Sequence, residues 1–294
     1  MTARGAAVGL VVDRLVGEPL REPHPVAVLG RVLGALERRI WRDERGAGVV
    51  HAVAGVSLGL GVGAMVGSTA VAVTLATAGR MLGEEAMVVE RALEAGRLEA
   101  ARDALGSLVG RDRSALDGAG IARAAVESVA ENTVDAVVAP ALWGAVAGAP
   151  GAVAHRVVNT LDAKVGHRTA RYERFGWASA RLDDLAAWVP ARVTAALVAA
   201  VRPRDAGAVW RAVRRQAPAH PSPNAGVAEA AFAAALGLRL GGEQRYGDRL
   251  DRRPPLGDGR PPRAGDIRAA VRLAGEVQWA LAAALGAVAL AGRP

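Results

Sequence analysis

The 294-residue chain has no cysteine, one lysine and few aromatic residues: six Trp, two Tyr and two Phe. Without cysteine there are no disulfides, no thiolate catalysis and no Cys-ligated clusters, and the redox compartment is unreadable. Positive charge is not scarce, because 36 Arg accompany the single Lys and the net charge is +8. A basic chain invites a nucleic-acid reading. Aromatics are only 3%, no basic helix is free of acids and no zinc-ligand pattern exists, so no nucleic-acid partner is expected. Anionic headgroups of membrane lipid or an anionic substrate suit the excess Arg better. There is no GxxxxGK[ST] phosphate loop, no GxGxxG after a strand and no HExxH, so any nucleotide site is not a standard one. The N-terminal apolar run, Gly5 to Val12, is interrupted by Asp13 and Arg14 and does not read as a signal peptide.

What the chain does have is apolar length. Hydrophobic residues make up 51%, and charges cluster with long uncharged gaps between them. Val49 to Gly79 contains one titratable residue, His51. As one helix these residues would extend roughly 45 Å, against a hydrocarbon core of about 30 Å, so the stretch must tilt, bend or emerge. Glycines 55, 59, 61, 63 and 67 offer close helix packing or a break. Val134 to Ala154, interrupted by Pro140 and Pro150, is expected to be a broken or re-entrant helix. Leu185 to Val201 and Val277 to Gly292 are further spans, and Gly5 to Val16 is a partial fifth.

The expectation is an all-α, polytopic integral membrane protein with about four to five embedded helical segments and interfacial amphipathic helices. It is read as a single membrane-embedded domain over 1–294. A polar helical hairpin is inserted at 80–133, and 202–267 is an Arg-rich loop region carrying a motif. Glu84 to Glu131 reads as two or three solvated helices broken at Gly96 and at Gly110–Arg111. "RRPPLGDGRPP" reads as a flexible loop, and the dozen Arg from Arg202 to Arg263 place that region in the cytoplasm.

Four polar segments are too rich for linkers. "GEPLREPHPVAVLG" (17–30) joins three Pro to His24. "ESVAENTVDAVVAP" (127–140) spaces Glu127, Glu131 and Asp135 four apart at the mouth of an apolar span. There their charge calls for a metal ion or Arg. The stretch 159–184 holds four Arg, four acids, one His and the only Lys between two apolar runs. Acids able to hold a metal, beside Arg able to fork onto phosphate or carboxylate, are parts of a phosphoryl or acyl-activation site. A solvated surface of ion pairs has the same composition. In "HPSPNAGVAEAAFAAALGLRLGG" (220–242), Asn224 is expected to cap a helix and Glu229 sits in an apolar helix where it needs a partner.

Together and in this order, "GEPLREPHPVAVLG", "ESVAENTVDAVVAPALW", "VNTLDAKVGHRTARYERFGWASARLDDLAAWVPAR" and "HPSPNAGVAEAAFAAALGLRLGG" resemble the adenosylcobinamide-phosphate synthase family of cobalamin biosynthesis, written CobD/CbiB. The resemblance spans the whole chain. It implies a multi-pass protein of the inner (cytoplasmic) membrane with its active site facing the cytoplasm. The implied reaction joins the carboxylate of the corrinoid adenosylcobyric acid to the amine of aminopropanol or aminopropanol phosphate, with ATP as co-substrate and Mg2+. Two departures occur. Val134 and Ala136 flank Asp135 where the family has a small polar residue and Gly, and Lys164 stands where an apolar residue is expected.

Amide formation from a free carboxylate requires activation. An acyl phosphate needs a metal clamp, cations for developing charge and a base for the amine proton. Under the resemblance, Glu131, Asp135, Asp162 and Asp183 are candidate metal or base carboxylates, with Glu127 as a further metal ligand. His24 and His220 are candidate proton carriers. Arg171, Arg174 and Arg181 are candidates for phosphate or propionate binding, joined by Asn132, Asn159, Tyr172, Ser222, Asn224 and Glu229 as substrate-binding residues. The alternatives are a Mg-dependent membrane prenyl or lipid pyrophosphate transferase and an anion transporter. The first lacks its repeated Asp motifs here and the second its inverted repeat.

Overall fold

The computed structural model describes residues 1–17, 25–110, 112–167, 169–246 and 249–292. Helices dominate, as expected. In order they are α1 (Thr2–Val16), α2 (Pro25–Ile40), α3 (Arg45–Val66), α4 (Thr69–Ala76), α5 (Gly79–Glu94), α6 (Leu98–Leu105) and α7 (Gly118–Thr133). A π-helical turn (Val134–Val138) follows, then α8 (Ala139–Val165), α9 (Trp177–Ala186), α10 (Trp188–Val201), α11 (Ala206–Arg215), α12 (Ala225–Leu236) and α13 (Ala264–Ala291). Four helical stretches are long and apolar enough to cross a membrane: Arg45–Val66, Gly118–Val165, Trp177–Val201 and Ala264–Ala291. The chain is a helical, polytopic membrane protein.

Two compact units share the residues. Unit 1 comprises Met1–Ala78, Asp135–Pro190 and Leu281–Pro294. Its long apolar stretch does not run through to Gly79. It ends at Gly67, whose φ of 66° is open to glycine and closes α3. Gly55, Gly59 and Gly63 form a stripe every fourth residue along α3, and this stripe meets α8. A Cβ on Gly55 would lie 2.9 Å from Leu161 Cδ1, and one on Gly59 2.9 Å from Ala154 Cα; Gly63 lies against Pro150. Backbones approach closely because nothing stands between them. Gly61 faces open space. Elsewhere on α3, Val50, Val53, Leu60 and Met65 are exposed, which suits contact with lipid.

The Pro-interrupted stretch is broken two residues ahead of Pro150. Gly148 takes φ 68°, ψ −155° and splits α8 into two arms. The Gly151 backbone lies against the Trp143 carbonyl, and a Cβ on Gly144 would be 3.4 Å from Ala152 Cβ. Residues eight apart in a straight helix would be about 12 Å apart along the axis, so the chain folds back on itself here. Pro140 and Pro190 each leave a carbonyl four residues earlier without its helical partner. The Ala136 carbonyl accepts the N–H of Ala78 at 2.9 Å. The Ala186 carbonyl accepts the Trp143 indole N–H at 3.0 Å. Pro190 is the third residue of α10, and the helix continues past it.

Unit 2 comprises Gly79–Val134 and Ala191–Ala280, so the two polar regions expected as an insertion and a loop belong to one compact body. The breaks after α5 and α6 fall where expected, with Gly96 at φ 68°. The solvated-hairpin expectation is corrected at α7. Ile121, Ala122, Ala124–Val126 and Val129–Ala130 are buried, because small residues on several sides let α5, α6 and α12 pack around it. A second correction concerns the Pro/Gly-rich "loop". Arg249–Leu256 is strand β2, paired antiparallel with β1 (Leu240–Tyr246). Leu240 pairs with Leu256 and Gly242 with Arg253, with an irregularity between Leu240 and Gly242. Gly241 and Gly242 hold φ of 84° and 98°, which bends the strand at that point. Pro254 and Pro255 are accommodated because each strand of a two-stranded ribbon has one edge free of pairing.

Candidate active site

The fourth polar segment builds a buried constellation in unit 2. Pro221 and Pro223 fix the backbone after His220. The hydroxyl of Ser222 accepts the N–H groups of Asn224 (3.3 Å) and Ala225 (3.1 Å) at the start of α12. Ser222 is thus the capping side chain. Asn224 occupies the cap position without a side-chain cap bond, and its Oδ1 accepts from Arg192 at 2.9 Å. His220 Nδ1 lies 3.1 Å from the Ser222 backbone nitrogen and 3.2 Å from the Ser222 carbonyl oxygen, and these contacts fix the ring. His220 Nε2 then lies 3.8 Å from Glu229 Oε1 and 3.2 Å from Arg253 Nη1. Arg253 Nη1 is 3.6 Å from Glu229 Oε1. Glu229 and His220 side chains are 0% and 1% exposed, so the carboxylate predicted to need a partner has two.

Beside this group lies a cleft of about 300 Å³, between the first turn of α7 and the hairpin. Arg123, Arg239 and Arg253 line it, with Asp117, Gly120 and Gly242. Reading the sequence alone singled out none of these arginines. Arg239 lies in the quoted "GLRLGG" and Arg253 in "RRPPLG", but only the hairpin brings them to α7.

Glu127, one of the candidate metal ligands, is buried in unit 2. It accepts the Gly241 N–H at 2.9 Å and lies 4.0 Å from Arg123 Nε. Glu131 is exposed, and Asn132 donates to the Ser128 carbonyl at 2.9 Å. Asp135 is half-buried in the π turn of unit 1. Because Asp135 lies inside this π turn, its register with Glu131 is not that of a continuous α-helix.

The third segment packs within unit 1. Glu37 of α2 accepts the Tyr172 hydroxyl at 2.8 Å and Arg171 Nη2 at 3.3 Å. The Arg171 guanidinium stacks 4.5 Å over Trp41. The hydrogen bonds to Tyr172 and then Glu37 raise its pKa further. Arg174 pairs loosely with Asp43 at 3.8 Å, and Arg181 with Asp184 at 3.6 Å. Arg171 and Tyr172 therefore staple residues 166–176 to α2. Phe175 is buried 5.2 Å from the His51 ring, and Gly48 admits its carbonyl. Lys164 lies along the glycine face of α2, its Nζ 3.7 Å from where a Gly34 Cβ would be. Asn159 and Asp162 are half-buried one turn apart on α8, and Asp183 is half-buried on α9, which packs against α8. His24 and Arg168 lie outside the described residues.

Among the described residues, no three His, Asp or Glu side chains group closely enough to hold one ion. A cage made wholly by protein is therefore not built from them. Mg2+ commonly uses one or two carboxylates and takes its other ligands from phosphate and water. Asp162 and Asp183 lie on α8 and α9, two helices that pack against each other within unit 1. "GVSLG" at 55–59 spells a nucleophile elbow, but it lies inside α3, away from any strand-to-helix turn.

The description CobD/Cbib protein matches residues 6–274. The chain is 47% identical to "Cobalamin biosynthesis protein CobD" of Mycobacterium tuberculosis (strain CDC 1551 / Oshkosh), covering 94% of this chain and 92% of the relative. It is 43% identical to the protein of that name from Chromobacterium violaceum, over 94% and 93%. The Rhodobacter capsulatus protein is 39% identical, over 96% of each. No solved structure matches the chain. Kinship at this level along nearly the full length leaves one conclusion: the chain belongs to the CobD/Cbib family.

Proposed function

We propose that the chain is the amide-forming synthase of cobalamin biosynthesis. It joins the carboxylate of adenosylcobyric acid to the amine of aminopropanol or its O-phosphate. The observation that carries this reading is the near-full-length kinship to proteins named for cobalamin biosynthesis. The chemistry is ATP-dependent. A carboxylate oxygen attacks the terminal phosphorus of ATP and ADP leaves. The amine then attacks the acyl carbon, phosphate departs with that oxygen, and one proton must be taken up.

Bound Mg2+ would supply neutralisation of the nucleotide phosphates. Within unit 1, Asp162 and Asp183 are the carboxylates that would hold the metal–nucleotide, and Arg181 would meet the charge that develops on the transferred group. Within unit 2, taken by itself, His220 is the candidate base, accepting a proton at Nε2. Buried Glu229 favours the imidazolium that results, and the Ser222 carbonyl, 3.2 Å from Nδ1, accepts the Nδ1–H of the tautomer whose Nε2 takes the proton. The reaction takes place on the cytoplasmic side of the inner membrane, where ATP is made. Purified chain supplied with adenosylcobyric acid, either amine and Mg-ATP should release one ADP per amide formed. ATP turnover without amide, or no turnover at all, overturns the reading.

A further inference from the structure

We propose that the cleft lined by Arg123, Arg239 and Arg253 is a binding site for the phosphate monoester of a small aliphatic ligand. Three guanidinium groups converge on about 300 Å³ within one unit. Two are held from behind by buried acids. Arg253 leans on Glu229 at 3.6 Å, and Arg123 on Glu127 at 4.0 Å. Gly242 leaves room for Arg123, since a Cβ there would lie 3.2 Å from Arg123 Nη1. Arg239 differs from both: it is exposed, and among the described residues it has no carboxylate partner. The one acid on the cleft wall, Asp117, is engaged with the Gly120 N–H at 2.7 Å. Two anchored forks and one uncompensated one suit a dianion with three oxygens, which guanidinium groups bind in bidentate fashion.

The rest of the lining selects the ligand. The apolar wall is Ala119, Leu240 and prolines, with no aromatic ring among the described residues on which a nucleobase could stack. The volume is at the small end for ligand sites and excludes a corrin macrocycle. On the function proposed above, on which this assignment rests, the ligand of that class is the amine donor carrying its O-phosphate. The cleft adjoins the His220–Glu229–Arg253 group because Arg253 belongs to both. The terminal phosphate of ATP is the other source of the same chemistry.

The test is calorimetric titration of the full-length chain in detergent micelles with aminopropanol O-phosphate, aminopropanol and Mg-ATP. Arg239→Ala and Arg239→Lys are compared with the wild type. The phosphorylated amine should bind the wild type more tightly than aminopropanol. Its Kd should rise about 10- to 100-fold in Arg239→Ala, the loss of one charge-assisted contact, and less in Arg239→Lys. The Kd for Mg-ATP should not move. A loss confined to Mg-ATP overturns the small-ester assignment, and no change for any ligand overturns the site. If the phosphorylated amine binds as described but no amide forms, the reaction reading fails and the cleft stands. If amide forms and Arg239→Ala leaves affinity for the phosphorylated amine untouched, the cleft fails and the reaction stands.

Discussion

Glu127 on α7 accepts the backbone N–H of Gly241 at 2.9 Å, joining a helix and a hairpin 114 residues apart in sequence. The carboxylate that sequence spacing offered as a metal ligand is therefore a structural acceptor at the strand bend. Glu127→Gln keeps a carbonyl oxygen for that N–H and should preserve most activity, with a small fall in stability. Glu127→Ala leaves the buried donor unsatisfied and should cost about 1–3 kcal/mol. Thermal unfolding in detergent, read beside turnover, checks this. Abolished turnover in a fully stable Glu127→Gln protein would return the residue to the metal.

The Trp143 indole does for Ala186 what the missing N–H of Pro190 cannot. Trp143→Phe should destabilise the protein by about 1 kcal/mol or more, since an orphaned carbonyl is costly where water is excluded. Pro190→Ala supplies a helical N–H for the same carbonyl. In that background Trp143→Phe should cost distinctly less, and a double-mutant cycle on unfolding free energies measures the difference. Strictly additive effects would contradict the compensation.

Asp162→Asn should reduce turnover by at least a hundredfold with unfolding unchanged, because the swap keeps the shape and removes the charge that a Mg–phosphate complex requires. Lys164→Met keeps a stem of similar length along Gly30 and Gly34 and should leave turnover within about twofold. The reverse pattern, an inert lysine variant and an active asparagine variant, would remove Asp162 from the site.

Because the chain has no cysteine, single cysteines report sidedness without background. Ala27, Thr169 and Ala219 are exposed and suit replacement, whereas Ala225 is buried at 6% and does not. An impermeant thiol reagent should label Ala27→Cys, Thr169→Cys and Ala219→Cys in inside-out vesicles and none of them in intact cells. Labelling of Thr169→Cys from outside while Ala219→Cys stays protected would put the two richest segments on opposite sides of the membrane.

The spans were legible because they rest on one local property, the absence of charge over membrane length, and Gly67 and Pro150 mark their interruptions. The packing role of Gly55, Gly59 and Gly63 was legible from their spacing of four. The hairpin was not. "LGGEQRY" is short, its partner carries two prolines, and the pairing depends on a bend at Gly241 that Glu127 holds from another part of the chain. The arginine cleft was hidden for the same reason, since Arg123 and Arg253 meet only after that pairing forms. Asn224 looked like a cap by type, but Arg192 claims its oxygen and Ser222 takes the role. Burial of α7 was masked by its charges. Arg123 and Glu127 belong to the stretch read as solvated helices, yet they face the cleft and the hairpin.

The account turns on activation of the corrinoid carboxylate by phosphoryl transfer. Adenosylcobyric acid labelled with 18O in the reacting carboxylate, turned over with Mg-ATP and the amine, tests it directly by mass spectrometry of the released phosphate. The account predicts one labelled oxygen in inorganic phosphate for each amide formed, and none in AMP. Label appearing in AMP, or phosphate released without label, would contradict it.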